Sequence, residues 1–288
     1  MSSGTTAGNR TPRHTHISAK SRLFTLNCRE VWQYRELTRL FVIRGFQVKY
    51  KQTVLGPLWL LINPMLTALF DVLLFGNIAK LSTDGVPQLL FYLSGNALWA
   101  FFSGRVSSNS TTFIKNAGLF GKVYFPRLVI PIADVLGGMI QFGIQMLMVI
   151  LLYGYFYAVG AVRPGLPLLL TLPAVLIELG LMGMGIGVLI SSFTTKYRDL
   201  SLLVGYGLHL WMYATPVVYP LSAVSGTLRA LLRLNPVTAP MELMRAALFQ
   251  TGSVMPGGLA YSFGFTLLVA LSGIVIFNRT ERSFIDTI

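Results

Sequence analysis

The chain has 288 residues, 53% of them hydrophobic and 11% charged, with a formal net charge of +13. Soluble domains usually carry about a quarter charged residues, so there is too little polar surface here to cover a water-facing globule. The positive balance does not point to nucleic acid, because the basic residues flank apolar stretches of about 20 residues, the length that crosses a bilayer core as a helix. The single cysteine, Cys28, excludes an internal disulfide framework.

Residues 1–22 are rich in Ser, Thr, Arg and His and read as a disordered polar tail. They lack the apolar core of a cleavable signal, so the first span is expected to direct its own insertion. Residues 23–56 read as an amphipathic interfacial helix. Leu37, Leu40, Phe41 and Phe46 form a stripe at helical spacing, interleaved with Arg35, Arg39, Arg44, Lys49 and Lys51. Trp32, Tyr34 and Tyr50 suit the headgroup level.

Residues 57–288 read as an all-α transmembrane domain with six spans, about 57–79, 88–112, 128–158, 166–193, 200–221 and 258–278. Pro57 fits a helix start and Pro64 predicts a kink. The second span loses apolarity towards its end, and a short basic stretch, 113–127, follows it. Residues 222–257, interrupted by Pro236, Pro240 and Pro256, suit short re-entrant helices better than a full span. With six spans both termini share a side. The termini side would carry 18 of the 23 Lys and Arg, against 5 opposite, which places both ends in the cytoplasm.

No phosphate-binding G-x-x-x-x-G-K-[ST] loop is present, and neither is a H-E-x-x-H motif or a Cys/His cluster. The chain is therefore read as non-catalytic, binding no cofactor or metal of its own. The run Gly183-Met184-Gly185-Ile186-Gly187 mimics a nucleotide motif but sits inside an apolar span, where small residues serve close helix packing. Intramembrane polar groups are functional candidates: Asp71, Glu178 and His209 lie within spans, with Arg105 and Asp134 nearer span ends. Their scatter and mixed type favour structural pairing or a polar pathway wall over a proton relay. A membrane-embedded glycosyl- or acyltransferase would need clustered acids or a His–acid pair, which the ten scattered acids do not supply.

Five segments together resemble type-2 ABC exporter permeases of the polysaccharide class, which export O-antigen, teichoic acid or capsular polymers. They are RGFQVKYKQTVLGPLWLLINP (44–64), FIKNAGLFGKVYFPRLVIP (113–131), SSFTTKYRDL (191–200), LNPVTAPMELMRAALF (234–249) and FNRTERSFIDTI (277–288). The polar tail 1–22 departs from that pattern. The resemblance implies a bacterial inner-membrane permease that pairs with a second copy of itself and with two ATP-binding-cassette subunits, which would hold the ATP and Mg. Polysaccharide or lipid-linked glycan is the implied cargo; drugs or small lipids are the alternative within the superfamily. It also implies an ATPase-docking coupling region at Lys115, Asn116, Leu119, Lys122, Val123, Phe125, Pro126 and Arg127. Aromatic faces that stack on sugars would line the path, with Tyr92, Trp99, Phe102, Tyr206, Trp211 and Tyr213 as candidates. Membrane lipid is a further expected partner, and nucleic acid is not.

Overall fold

A computed structural model describes residues 32–285 apart from 52, 121, 124 and 198, with side chains to residue 280. The tail expected at 1–22 and the first part of the expected interfacial helix lie outside the described residues. The described residues are all-helical, without a strand. In chain order the helices are α1 (Arg35–Tyr50), α2 (Trp59–Asp71), α3 (Gln88–Asn109), α4 (Thr112–Phe120), α5 (Val129–Ala158), α6 (Leu168–Thr194), α7 (Leu200–Tyr213), α8 (Gly226–Leu234), α9 (Thr238–Phe249) and α10 (Pro256–Ile285).

Four helical segments are long and apolar enough to cross a membrane: Gly56–Ile78, Val129–Ala158, Leu168–Thr194 and Pro256–Thr280. In the first, the helix continues through Pro64 and widens after Asp71 into a π-helical stretch, Val72–Ile78. The amide of Ala79 there reaches back five residues to the carbonyl of Leu74 at 2.9 Å. The other two helices read from the sequence as spans fall short of that apolarity or length, for different physical reasons. Among the long helices α3 is the most enclosed, buried from Leu90 to Trp99 without a break. A helix shielded by protein need not be apolar all round, and α3 accommodates Ser94, Asn96, Arg105 and Asn109 as buried residues. α7 has 14 residues, about 21 Å of helix against a hydrocarbon core of about 30 Å.

The core is built around α6, which lies between α3 and α10. The glycine run explains how. Successive residues advance by about 100°, so Gly183 and Gly187 share one face and Gly185 the opposite one. A Cβ on Gly183 would stand 2.8 Å from the Cβ of Arg105, and one on Gly187 would stand 2.8 Å from the Val106 carbonyl of α3. A Cβ on Gly185 would stand 2.9 Å from the Ala270 backbone of α10, where Gly273 reciprocates: its Cβ would meet the Gly185 carbonyl at 2.8 Å. The three glycines thus let α6 approach two helices at backbone distance, the packing mode small residues allow in membranes.

α1 packs along α5. α4 is seated on the end of α6: Thr194 Oγ1 donates to the Ser110 carbonyl at 2.6 Å, and the Phe113 amide donates to Ser191 Oγ at 3.3 Å. Gly185→Val is expected to cost about 1–3 kcal/mol through overpacking against α10. Gly205→Ala on α7, where a Cβ meets nothing within 4 Å, is the control and should not lower stability. Thermal unfolding in mild detergent distinguishes them; equal midpoints for Gly185→Val and wild type would refute the packing.

Candidate functional site

At the end of the bundle that carries α4, a cleft of about 640 Å³ opens between α1, α3 and α5. Its floor is an ion pair. Arg105 Nη1 of α3 lies 3.1 Å from Asp134 Oδ2 of α5 and also donates to the Asp134 backbone carbonyl. Asn109, one turn along α3, donates to the same Asp134 Oδ2 at 3.0 Å and to the Arg105 carbonyl at 2.8 Å. Glycines on both sides make room for the arginine: a Cβ on Gly138 of α5 would collide with its guanidinium, and one on Gly183 of α6 would press its stem. The side chains of Arg105 and Asp134 are 11% and 22% exposed, so neither charge can be relieved by full hydration. Arg105 Nε and Asn109 Oδ1 remain buried without a hydrogen-bond partner.

The cleft wall contributed by α1 carries Arg44 and Lys49, and α4 adds Lys115. Lys49 donates to Gln141 Oε1 of α5 at 3.5 Å. Although Lys49 is exposed by surface area, its amine reaches the cleft wall. That partial burial, with the charge of Arg105 acting in the same sense and Asp134 opposing it, holds its pKa below the ordinary lysine value.

The expected coupling residues divide by role. Lys115, Lys122 and Val123 are exposed, and Asn116, Leu119 and Pro126 are half-buried. Phe125 and Arg127 are buried and hold the segment in place. Phe125 packs beside Phe120 at 5.9 Å and Phe41 of α1 at 5.8 Å, and the Arg127 guanidinium lies 4.8 Å from the Phe120 ring centre. Phe113 stacks on Phe277 of α10 at 4.4 Å. One segment therefore touches α1, α6 and α10.

The six candidate path aromatics fall into two groups. Tyr92, Trp99 and Phe102 are buried in the core. Half-buried Trp211 meets Phe102 edge-on at 5.2 Å and Trp99 at 6.4 Å, so these rings join α3 to α7. Tyr206 and Tyr213 lie on the exposed face of α7, as does His209. The intramembrane acids sit apart, each with a local partner. Asp71 accepts from Asn96 Nδ2 at 2.6 Å, and Glu178 accepts from Ser262 Oγ at 2.5 Å.

A second buried ion pair escaped the reading of the sequence. Glu242 and Arg245 of α9 pair at 3.0 Å. Arg245 also donates to the carbonyls of Val217 and Tyr219, at 2.9 and 3.2 Å, and lies 4.3 Å from the Phe91 ring centre of α3. Glu242 accepts from the Ser253 amide at 2.9 Å. The legible signal was an acid and a base three residues apart in an otherwise apolar stretch, PMELMRAALF.

Long apolar helices around buried ion pairs, with a polar segment seated across one end, define a multi-pass α-helical membrane protein. The chain belongs to the ABC-2 type transporter family, whose model matches residues 36–249, and is accordingly a transport subunit rather than a catalytic enzyme. It is 29% identical over 245 residues to an O-antigen export system permease protein RfbA of Klebsiella pneumoniae, covering 84% of this chain and 91% of that one. A second Klebsiella pneumoniae RfbA is 26% identical over 243 residues with the same coverage. The RfbA of Myxococcus xanthus is 30% identical over 227 residues, covering 77% of this chain and 84% of that one.

Asp134→Leu strands Arg105 as a buried unpaired charge and is expected to destabilise the chain by about 3–5 kcal/mol. Arg105→Leu strands Asp134 in the same way, and the double variant should recover much of the loss. Unfolding in mild detergent across all four proteins measures the coupling; strictly additive losses would show that the two groups do not act as a pair.

Proposed function

We propose that this chain is the permease subunit of an ABC exporter that moves a polysaccharide or lipid-linked glycan out of the bacterial cytoplasm through the inner membrane. One observation carries the reading: similarity over most of the chain to relatives named O-antigen export permeases. The proposed topology has six spans, formed by α2 with its π extension, α3, α5, α6, α7 continued by residues 214–221, and α10. Residues 1–22 are a polar tail, α1 lies in the inner interface, and α8 and α9 form the re-entrant segment before the last span. Both termini face the cytoplasm, following the 18 to 5 distribution of basic residues.

A second copy completes the pathway, and two ATP-binding-cassette chains bind ATP and Mg. α4 and the residues to 127 form the docking surface. What supports this role is the combination of exposed Lys115, Lys122 and Val123 with buried anchors in Phe113, Phe120 and Phe125. A rigid seat that touches three helices can pass a push from the ATPase into the bundle. For the glycan path, exposure favours Tyr206 and Tyr213 of α7 over the core rings Tyr92, Trp99 and Phe102, because only an open ring face can stack on a sugar.

Lys122→Glu with Val123→Asp is expected to weaken association with the ATPase chain by at least about tenfold while leaving the unfolding midpoint unchanged. Phe125→Ala should instead lower stability by about 3–5 kcal/mol. Co-purification and ATPase assays of the co-expressed complex separate the two effects. A transport-competent chain that needs no ATPase partner would overturn the assignment. Export of drugs or small lipids but not glycan by the complex would overturn the cargo.

A further inference from the structure

The cleft between α1, α3 and α5 is not accounted for by a path for glycan, and of the expected docking residues it shares only Lys115 and Asn116. Among the described residues four cations line it, Arg44, Lys49, Arg105 and Lys115, and Asp134 is the only acid that does. The Arg105–Asp134 pair cancels in the floor, which leaves Arg44, Lys49 and Lys115 as an uncompensated positive rim. The remaining wall includes Phe41, Phe46 and Phe101, apolar surface that a small hydrated anion would leave unfilled.

The depth of the cleft fits a headgroup. Arg105 lies about 26 Å along α3 from its first residue, Gln88, and so near the far boundary of a hydrocarbon core of about 30 Å. α5, with 30 residues, is about 45 Å long and exceeds the core by about half a core thickness. Its first turns, which carry Asp134, can therefore sit at or beyond the boundary. α1 closes the cleft from the side, with Phe41 and Phe46 of its stripe and the exposed cations Arg44 and Lys49 in the lining, while Leu40 is exposed. Positive rim, apolar wall and interfacial depth coincide at one place.

We infer that this cleft binds the phosphate headgroup of an anionic phospholipid of the cytoplasmic leaflet, with Arg44 and Lys49 on the phosphate and the first acyl carbons against Phe41, Phe46 and Phe101. The lipid wedges α1 against α3 and α5 and sets how α1 lies beneath the bundle. The leaflet assignment rests on the orientation proposed above; the binding itself does not.

The test uses the full chain in nanodiscs of phosphatidylcholine mixed with phosphatidylglycerol, released into detergent, with retained lipid counted by native mass spectrometry. Wild type is expected to retain phosphatidylglycerol in preference to phosphatidylcholine. Each cation near a membrane surface is worth about fivefold in binding, so Arg44→Gln with Lys49→Gln should reduce retention by about thirtyfold. Arg44→Lys with Lys49→Arg should keep it, which separates charge from folding. Equal retention of both lipids by wild type, or undiminished phosphatidylglycerol on the Gln variant, overturns the proposal. So does retention of free glycerol phosphate in place of lipid, which would make the ligand a soluble anion. Orientation is read separately: Gln47→Cys in a Cys28→Ser background should be labelled by an impermeant maleimide from the cytoplasmic face alone. Labelling from the outer face would refute the leaflet and the topology while leaving the lipid count to stand or fall by itself.

Discussion

Backbone-distance packing of α6 against α3 and α10 is the constraint on which the rest of the bundle depends. Without water to drive helix association, membrane helices gain from close van der Waals contact, and only small residues permit it. Gly183 and Gly187 bring α3 in on one side, and Gly185 with Gly273 brings α10 in on the other. The consequences propagate. With α3 this close, Arg105 must leave sideways towards α5, where Gly138 gives it room and Asp134 gives it a counter-charge. With the end of α6 beside the end of α3, Thr194 and Ser191 reach Ser110 and Phe113 and seat α4. With α10 close on the far side, Phe277 reaches Phe113. The segment that begins with α4 is held by the same approach that builds the core.

α3 is pinned at two levels. Near its start, Arg245 lies over Phe91 and grips the 217–219 backbone, and Gly95 lets that backbone come close, since a Cβ there would stand 2.8 Å from the Val217 carbonyl. Near its end Arg105 engages Asp134. Breaking a buried pair is more costly than never having had one, so such pairs specify register more than they add stability. A helix fixed at both levels, enclosed on nearly every face and carrying few lipid-facing residues cannot slide independently of its neighbours.

Much of this was legible in the sequence, where the rule involved was local. Apolar length marked the long helices, and the glycine run announced tight packing because nothing else explains three glycines at alternate positions inside an apolar stretch. The resemblance singled out residues 113–127, but not the split between their exposed and buried members, because their seat is formed by Phe41, Ser191 and Phe277 from distant parts of the chain. The burial of the α3 aromatics was not legible for a related reason: Tyr92, Trp99 and Phe102 have the composition of a stacking surface, yet burial is decided by what packs against them. Glu242 and Arg245 were passed over because their three-residue spacing in an apolar stretch suits a pair but does not tell a buried pair from an exposed one.

The end of α7 shows how irregular backbone is accommodated in such a bundle. The helix stops at Tyr213, short of a full crossing, and its last carbonyls need donors from elsewhere. Asn235 meets that need with every group it has. Its amide nitrogen donates to the Ala214 carbonyl and to Thr215 Oγ1, both at 2.8 Å, and its oxygen accepts from Trp211 Nε1 and the Val237 amide, both at 3.1 Å. Two donors and two lone pairs exhaust an asparagine side chain. Aspartate would lose the donors, and leucine would lose all four bonds where water is scarce. The residue that lets α7 end early also begins the turn into α9, so the length of the short helix and the placement of the Arg245 clamp are set by one side chain.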